Sequence, residues 1–324
     1  MTIHSSKSIG WVFAAVLVTV QQLPASAQSD YPNRAIRIIV PTAPAGGNDT
    51  VGRVIAQGLT ERWGRQVVVD NRAGASTMIG GEMVAKAPPD GYTLLMGVST
   101  LAINPATFRK VPYEAIRDFT PITQAVFVPN LMMVHPSVPA KTVKEMIAFA
   151  KARPGQVLMA SAGFGTNPHL SMELFASMAQ IRLIHVPYKS STPGIIDLIA
   201  GHVAIMAPNM LQSIPHVRAG RLRALAVAGK QRSQIFPDLP RLADVYPGLE
   251  VTPWLALFAP AGVPEAVLAR LRTEVNKLLQ DPEQIRRLGG LEPYLTTPEQ
   301  FDALLHSEYR KYGEIVKAVG VRID

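Results

Sequence analysis

Apolar positions in this chain fall into short runs and helical stripes that alternate, run with stripe, over residues 34–227. The first run, Arg34-Ala-Ile-Arg-Ile-Ile-Val40, is rich in β-branched residues. Residues 41–47 break it, and Val51, Val54, Ile55, Leu59 and Trp63 then recur on one helix face. Strands are predicted at 66–70 and 92–97. A second unit opens with a strand at 131–134 and a helix whose buried stripe is Val143, Met146, Ile147 and Ala150. Thr142-Val-Lys-Glu145 starts that helix as a capping box. The predicted strand 156–161 runs into Ala162-Gly-Phe-Gly-Thr-Asn-Pro168, and Leu170, Leu174 and Met178 mark the next helix. Strands are predicted again at 182–186, 202–206 and 223–227, with a helix after Thr192-Pro193.

Beyond residue 228 the pattern is helical. Val267, Leu268, Leu271, Val275 and Leu278 keep a 3.6-residue stripe. Thr297-Pro-Glu-Gln300 is a second capping box, and Phe301, Leu304, Leu305, Tyr312 and Ile315 line the helix it opens. Alternation of this kind predicts an α/β protein with mainly parallel sheets.

The N-terminus stands apart. Residues 1–8 carry Lys7 and no acid, Ile9 to Val20 is almost unbroken apolar sequence, and Ala25-Ser26-Ala27 is a small-x-small triplet. A spanning helix needs roughly twenty apolar residues, so residues 1–27 read as a cleaved signal peptide, with cleavage after Ala27. The expected location is the periplasm. With no cysteine, the chain has neither disulfides nor a thiol for a lipid anchor.

Composition narrows the classes little further. At 324 residues the chain is long enough for two lobes, and 48% hydrophobic with 17% charged residues suits a packed globule. The net charge of +8 comes from scattered Lys and Arg rather than a basic block. Together with export, that argues against nucleic acid.

Strand, glycine turn and helix occur once in each half of the chain. The first is Ile39-Val-Pro-Thr-Ala-Pro-Ala-Gly-Gly-Asn-Asp49 and the second Met159-Ala-Ser-Ala-Gly-Phe-Gly-Thr-Asn-Pro-His169. A helix start leaves amides unpaired at the positive end of its dipole. Glycines ahead of it (Gly46 and Gly47; Gly163 and Gly165) let those amides converge on a small anion such as a carboxylate. Ser161, Thr166 and Thr42 are candidate hydroxyl donors. Read singly, each turn is equally a plain turn with Asn48 or Asp49 capping its helix.

From Tyr31 almost to the C-terminus, the chain resembles the substrate-binding receptors of tripartite tricarboxylate transporters, the Bug family. The resemblance is carried by Ile38-Ile-Val-Pro41, Gly46-Gly47 with Asp49, and Val68-Val-Asp-Asn-Arg-Ala-Gly74. Further motifs are Pro89-Asp-Gly-Tyr-Thr-Leu-Leu95, Arg117-Asp-Phe-Thr-Pro121, Ala160-Ser-Ala-Gly163, His185-Val-Pro-Tyr-Lys189 and Leu257-Phe-Ala-Pro-Ala-Gly262. It implies a two-lobed, type II-like periplasmic binding protein with a ligand cleft between lobes joined by crossover strands. Lobe 1 would comprise residues 28–127 and 228–324, and lobe 2 residues 128–227. The partners implied are a small carboxylate solute and the permease subunits of such a transporter; the expected state is a monomer, with no cofactor.

The same resemblance assigns solute contacts to Thr42, Ala43, Pro44, Ala45, Gly46, Gly47 and Asp49 in the first turn. In the second they fall on Ser161, Ala162, Gly163, Gly165, Thr166, Asn167 and His169. Ser99, Tyr188 and Asn209 would meet the far end of the solute. Thr42 stands where the family often has an aromatic, and Ala207-Pro208 replaces a usual aromatic and polar pair. Those departures point to an unusual acid, with an aromatic carboxylate as the candidate.

Other chemistries fit less well. The seven histidines show no metal-ligand spacing, and no structural zinc is expected. Gly163-Phe-Gly165 lacks the third glycine of a dinucleotide fingerprint. The alternative is a secreted serine hydrolase using Ser161 with His169 or His185, which would need an acid to orient the histidine.

Overall fold

The computed structural model describes residue 2 and residues 30–229, 232–247, 249, 253–289, 291 and 293–320. The proposed signal segment and its cleavage site lie outside the described residues, apart from Thr2.

The order of elements in the first part is β1 (Ile36–Val40), α1 (Gly47–Trp63), β2 (Val67–Asn71), a 3₁₀ turn (Ala75–Thr77), α2 (Met78–Ala85), β3 (Thr93–Val98), α3 (Thr100–Thr107) and β4 (Phe119–Phe127). Next come β5 (Asn130–Val134), α4 (Val143–Lys151), β6 (Val157–Ser161), α5 (Asn167–Ala179), β7 (Leu183–Pro187), α6 (Ser191–Ile199), β8 (Ile205–Met206), α7 (Met210–Arg218) and β9 (Arg223–Ala228). The chain closes with α8 (Leu242–Val245), β10 (Trp254–Pro260), α9 (Glu265–Gln280), α10 (Pro282–Arg287) and α11 (Pro298–Val319).

Two 5-stranded sheets result, ordered β2-β1-β3-β10-β4 and β7-β6-β8-β5-β9. In the first, β1 pairs parallel with β2 and β3, while β10 runs antiparallel to β3 and β4. The second repeats this layout: β6 is parallel to β7 and β8, and β5 is antiparallel to β8 and β9. In each sheet the antiparallel inner strand is supplied just after the chain crosses from the other sheet. The fold is therefore a two-lobed α/β protein with strand crossovers, as the motifs imply.

Both crossing strands are buried along their whole length. They are covered on both faces, so their sequences are near-continuous apolar runs rather than alternating ones. Strands β4 and β10 were absent from the pattern-based reading. In β4 the alternation is interrupted by Pro121, which falls beside an irregularity in its register with β10. The strand expected at 202–206 shrinks to Ile205–Met206. The His202 amide instead donates to the Asp197 carbonyl at 2.9 Å and closes the end of α6.

The two capping boxes differ. At α11, Thr297 and Gln300 satisfy each other's backbone amides. At α4, Thr142 accepts from the Glu145 amide at 3.2 Å, but Glu145 reaches past the cap to the Lys141 amide at 2.6 Å. Among the described residues, no helix is long and apolar enough to cross a membrane.

Candidate functional site

β1 and β6 occupy equivalent places in their sheets, each beside an edge strand, and each leads through a turn into a helix start. Both turns line one cavity of about 570 Å³. Its wall is completed by the 3₁₀ turn, the start of α3, residues 188–192, and Asn209 with Gln212.

In the first turn the left-handed step is taken by Ala45, at φ 64°, and not by a glycine. Gly46 has an ordinary extended φ of −88° and caps α1 through its backbone alone. What Gly47 supplies is clearance: a β-carbon there would sit 2.5 Å from Nδ2 of Asn209, from the opposite sheet's segment. Asn209 cannot easily yield, because its Oδ1 accepts from the Leu211 amide at 2.9 Å as the cap of α7.

Asp49 is buried beneath this turn. Its carboxylate accepts from the Ala45 amide, Arg53 Nε and Asn71 Nδ2, each at 2.9 Å. Burial opposes its ionisation, but these three donors outweigh that and hold the carboxyl below its usual value. It shapes the turn and is off the cavity wall. The amides of Gly47, Asn48 and Asp49 precede the first i→i−4 bond, made by the Thr50 amide to the Gly46 carbonyl.

The second turn does use glycine for its backbone. Gly163 has φ 125° and Gly165 φ 68°. Ser161 Oγ accepts from the Gly163 amide at 3.0 Å, and Thr166 Oγ1 donates to the Gly163 carbonyl at 2.7 Å. The Gly165 amide donates to His169 Nδ1 at 3.1 Å. The Ser161 and Thr166 hydroxyls thus hold the turn's own backbone. Thr42 Oγ1 is buried and has no partner among the described residues.

Of the sequence-predicted contacts, the cavity wall includes Thr42, Ala43, Pro44, Gly46, Gly47, Ser99, Ala162, Gly163, Thr166, Asn167, Tyr188 and Asn209. Asp49, Ser161, Gly165 and His169 are buried off the wall and support the turns, and Ala45 is exposed outside it. Tyr188 is among the lining residues, and its hydroxyl donates to Asp197 Oδ2 at 2.6 Å. Burial and then that carboxylate push the phenol up to about 12. Sequence reasoning missed Asn48, Asn130, Lys189 and Gln212 on the wall. Lys189 stood in the His185–Lys189 motif, where nothing local marked it as inward-facing. Among the described residues that line the cavity, Lys189 is the sole Lys or Arg, and none is Asp or Glu.

Ser161 Oγ and His185 Nε2 share a hydrogen bond of 2.6 Å, the pairing a hydrolase would need. The rest of a triad is missing. His185 Nδ1 is buried with no partner among the described residues, and Glu173 instead lies 3.6 Å from Nε2 of His169. The His169 and His185 rings stack with centroids 3.8 Å apart. Burial, and then His169, push His185 down to about 4. A neutral imidazole with no acid behind it, on a serine off the cavity wall, is a prop for the turn.

Two matched helix starts on one cleft, within two sheets joined by crossovers, define a solute-binding protein. Residues 51–321 match the family described as tripartite tricarboxylate transporter family receptor. Protein BugT of Bordetella pertussis is 35% identical over 305 residues, covering 93% of each chain. A Rhodopseudomonas palustris protein solved with adipate superposes with a TM-score of 0.86 at 34% identity, covering 90% of this chain and 99% of that one. MatC from the same organism, with bound malate, gives 0.80 at 28% identity, covering 88% and 100%. The chain belongs to the tripartite tricarboxylate transporter receptor family.

Proposed function

We propose that this protein is an exported receptor that holds one small organic acid in the cleft and passes it to the permease subunits of a tripartite tricarboxylate transporter. Residues 1–27 would be removed on export, and the mature chain, starting at Gln28, would work as a monomer in the periplasm. Lobe 1 is assigned residues 28–127 and 228–324, and lobe 2 residues 128–227. The protein acts by binding, not by turnover.

One observation carries this reading: the amide-bearing starts of α1 and α5 both face a cavity whose wall, among the described residues, has one lysine and no carboxylate. Unpaired amides at a helix start favour anions, and two such starts need no arginine to fix a carboxylate. The cavity volume lies within the range of small-molecule sites. Two relatives of similar fold hold adipate and malate, which agrees with an acid as solute. Asp49 lies off the wall and is engaged by three donors, so among the described residues no carboxylate faces the cavity to meet an ammonium group.

A thermal-shift screen of the mature chain tests the proposal, since a ligand that binds only the folded state raises its apparent stability. Aliphatic and aromatic carboxylic acids should include at least one that raises Tm. Shifts with neutral sugars or divalent cations and none with any acid would sink it.

A further inference from the structure

A chain of buried polar side chains runs beneath the cavity and ends on the C-terminal helix. Asn130 Nδ2 donates to Asn167 Oδ1 at 2.8 Å, and Asn167 Nδ2 donates to the Tyr312 hydroxyl at 2.9 Å. Tyr312 is fully buried, and Ser99, Asn130 and Asn167 are each at most 4% exposed. These three line the cavity, whereas Tyr312 does not.

The placement of these residues gives the chain its meaning. Asn167 is the first residue of α5, Ser99 caps α3 at the end of β3, and Tyr312 sits on α11, which packs against both α3 and α5. One hydroxyl therefore ties a helix start of the second sheet's segment to α11, which packs on α3 of the first. The Asn167 amide has its oxygen and its nitrogen both engaged, which fixes its plane. In a low-dielectric interior such a network orients its members strongly, and it leaves them costly to strand.

We infer that Tyr312 is a positioning residue for the solute site: through Asn167 its hydroxyl holds the start of α5 against α11 and the α3 start beneath it, which fixes the separation of the two sides of the cleft. It touches no solute and acts only through Asn167. The functional meaning of that separation rests on reading the cavity as an acid site.

Hydrogen exchange read by mass spectrometry on the ligand-free mature chain tests this without a ligand. In Tyr312→Phe, which removes only the hydroxyl, amides in residues 161–169 and 98–102 should exchange about tenfold faster. Those of β1, β6 and the middle of α11 should stay within about twofold of the parent. Asn167→Ala cuts the same chain at its other end and should loosen residues 98–102 as well. Faster exchange confined to α11, or spread evenly over the molecule, would overturn the inference, as would an Asn167→Ala variant with an unchanged Ser99 turn. Titration with adipate and malate is the second arm. A parent chain that binds neither acid, nor any other, counts against the acid-site reading alone and leaves the exchange result to decide the role of Tyr312. Where the parent does bind, Tyr312→Phe should weaken the affinity about tenfold, and an unchanged affinity would overturn the inference.

Discussion

The two turns that line the cleft look alike in sequence and are built differently. In the second, glycine is required by conformation: Gly163 and Gly165 hold left-handed backbone that other residues rarely adopt. In the first, the left-handed residue is Ala45, held by the bond from its amide to Asp49, and Gly47 is required by space under Asn209. The first turn is tied from below by a carboxylate, the second by hydroxyls and two stacked imidazoles. The same task, presenting unpaired amides at a helix start, has thus been met by two different sets of supports.

The largest effect should come from breaking the conformational requirement. A side chain at Gly163 would be strained at φ 125° and would place its β-carbon 3.2 Å from the Tyr188 carbonyl. Gly163→Val should therefore weaken solute affinity about a hundredfold, roughly 2.7 kcal/mol, as read by calorimetric titration with an acid found in the screen. Affinity within twofold of the parent would move the site elsewhere. Breaking the spatial requirement should cost less. Gly47→Ala needs no unusual backbone but meets Asn209, so about a tenfold loss is expected. In thermal unfolding, Gly47→Ala should cost less in an Asn209→Ala background than in the parent, because the clash is with that side chain while the lost α7 cap is common to both members of the second pair. An equal cost in both backgrounds would remove Asn209 as the reason for glycine.

Pairs of this kind explain what was legible from sequence. Strand, turn and helix could be read at both sites because apolar period and glycine placement are local signals. The α/β class follows from their alternation. The supports could not be read. The resemblance assigned solute contacts to Asp49 and His169, yet their partners (Arg53 and Asn71 for one, the Gly165 amide for the other) turn them under the backbone. Strand β10 escaped because a strand buried on both faces loses the period of two, and β4 because Pro121 interrupts its alternation. Tyr312 shows only as one apolar position in a helical stripe, and its hydroxyl gains a role through Asn167, far away in sequence.

The imidazole supports give the second turn a dependence on pH that the carboxylate-tied first turn lacks in the same range. His185 titrates near 4 in the folded chain and near 6.5 when unfolded. Between those values the unfolded chain takes up a proton that the folded chain refuses, so stability falls as pH drops from about 6.5 to 4 and this contribution then levels off. His185→Phe keeps a ring against His169 and cannot titrate. Its Tm should fall less steeply than the parent's over that window, and parallel curves would show that His185 is not the group responsible.

The smallest expected effect bears most directly on the contrast between the turns. An L-residue in left-handed backbone carries a cost of about 1–2 kcal/mol, which Ala45→Gly would relieve. Glycine also gives the unfolded chain more freedom, offsetting about 0.5–1 kcal/mol of that gain. The net should be a stabilisation of about 0.5 kcal/mol, with Tm higher by about a degree. Solute affinity should be unchanged, because the amide that donates to Asp49 is retained. Gly165→Ala should have the opposite sign, since it adds left-handed strain and brings a β-carbon to 2.8 Å from Thr107 Cγ2. If Ala45→Gly instead lowered Tm, the alanine methyl would be making contacts worth more than its strain. The first turn would then be shaped by packing as well as by the Asp49 carboxylate, and the difference between the two turns would be larger than backbone conformation alone accounts for.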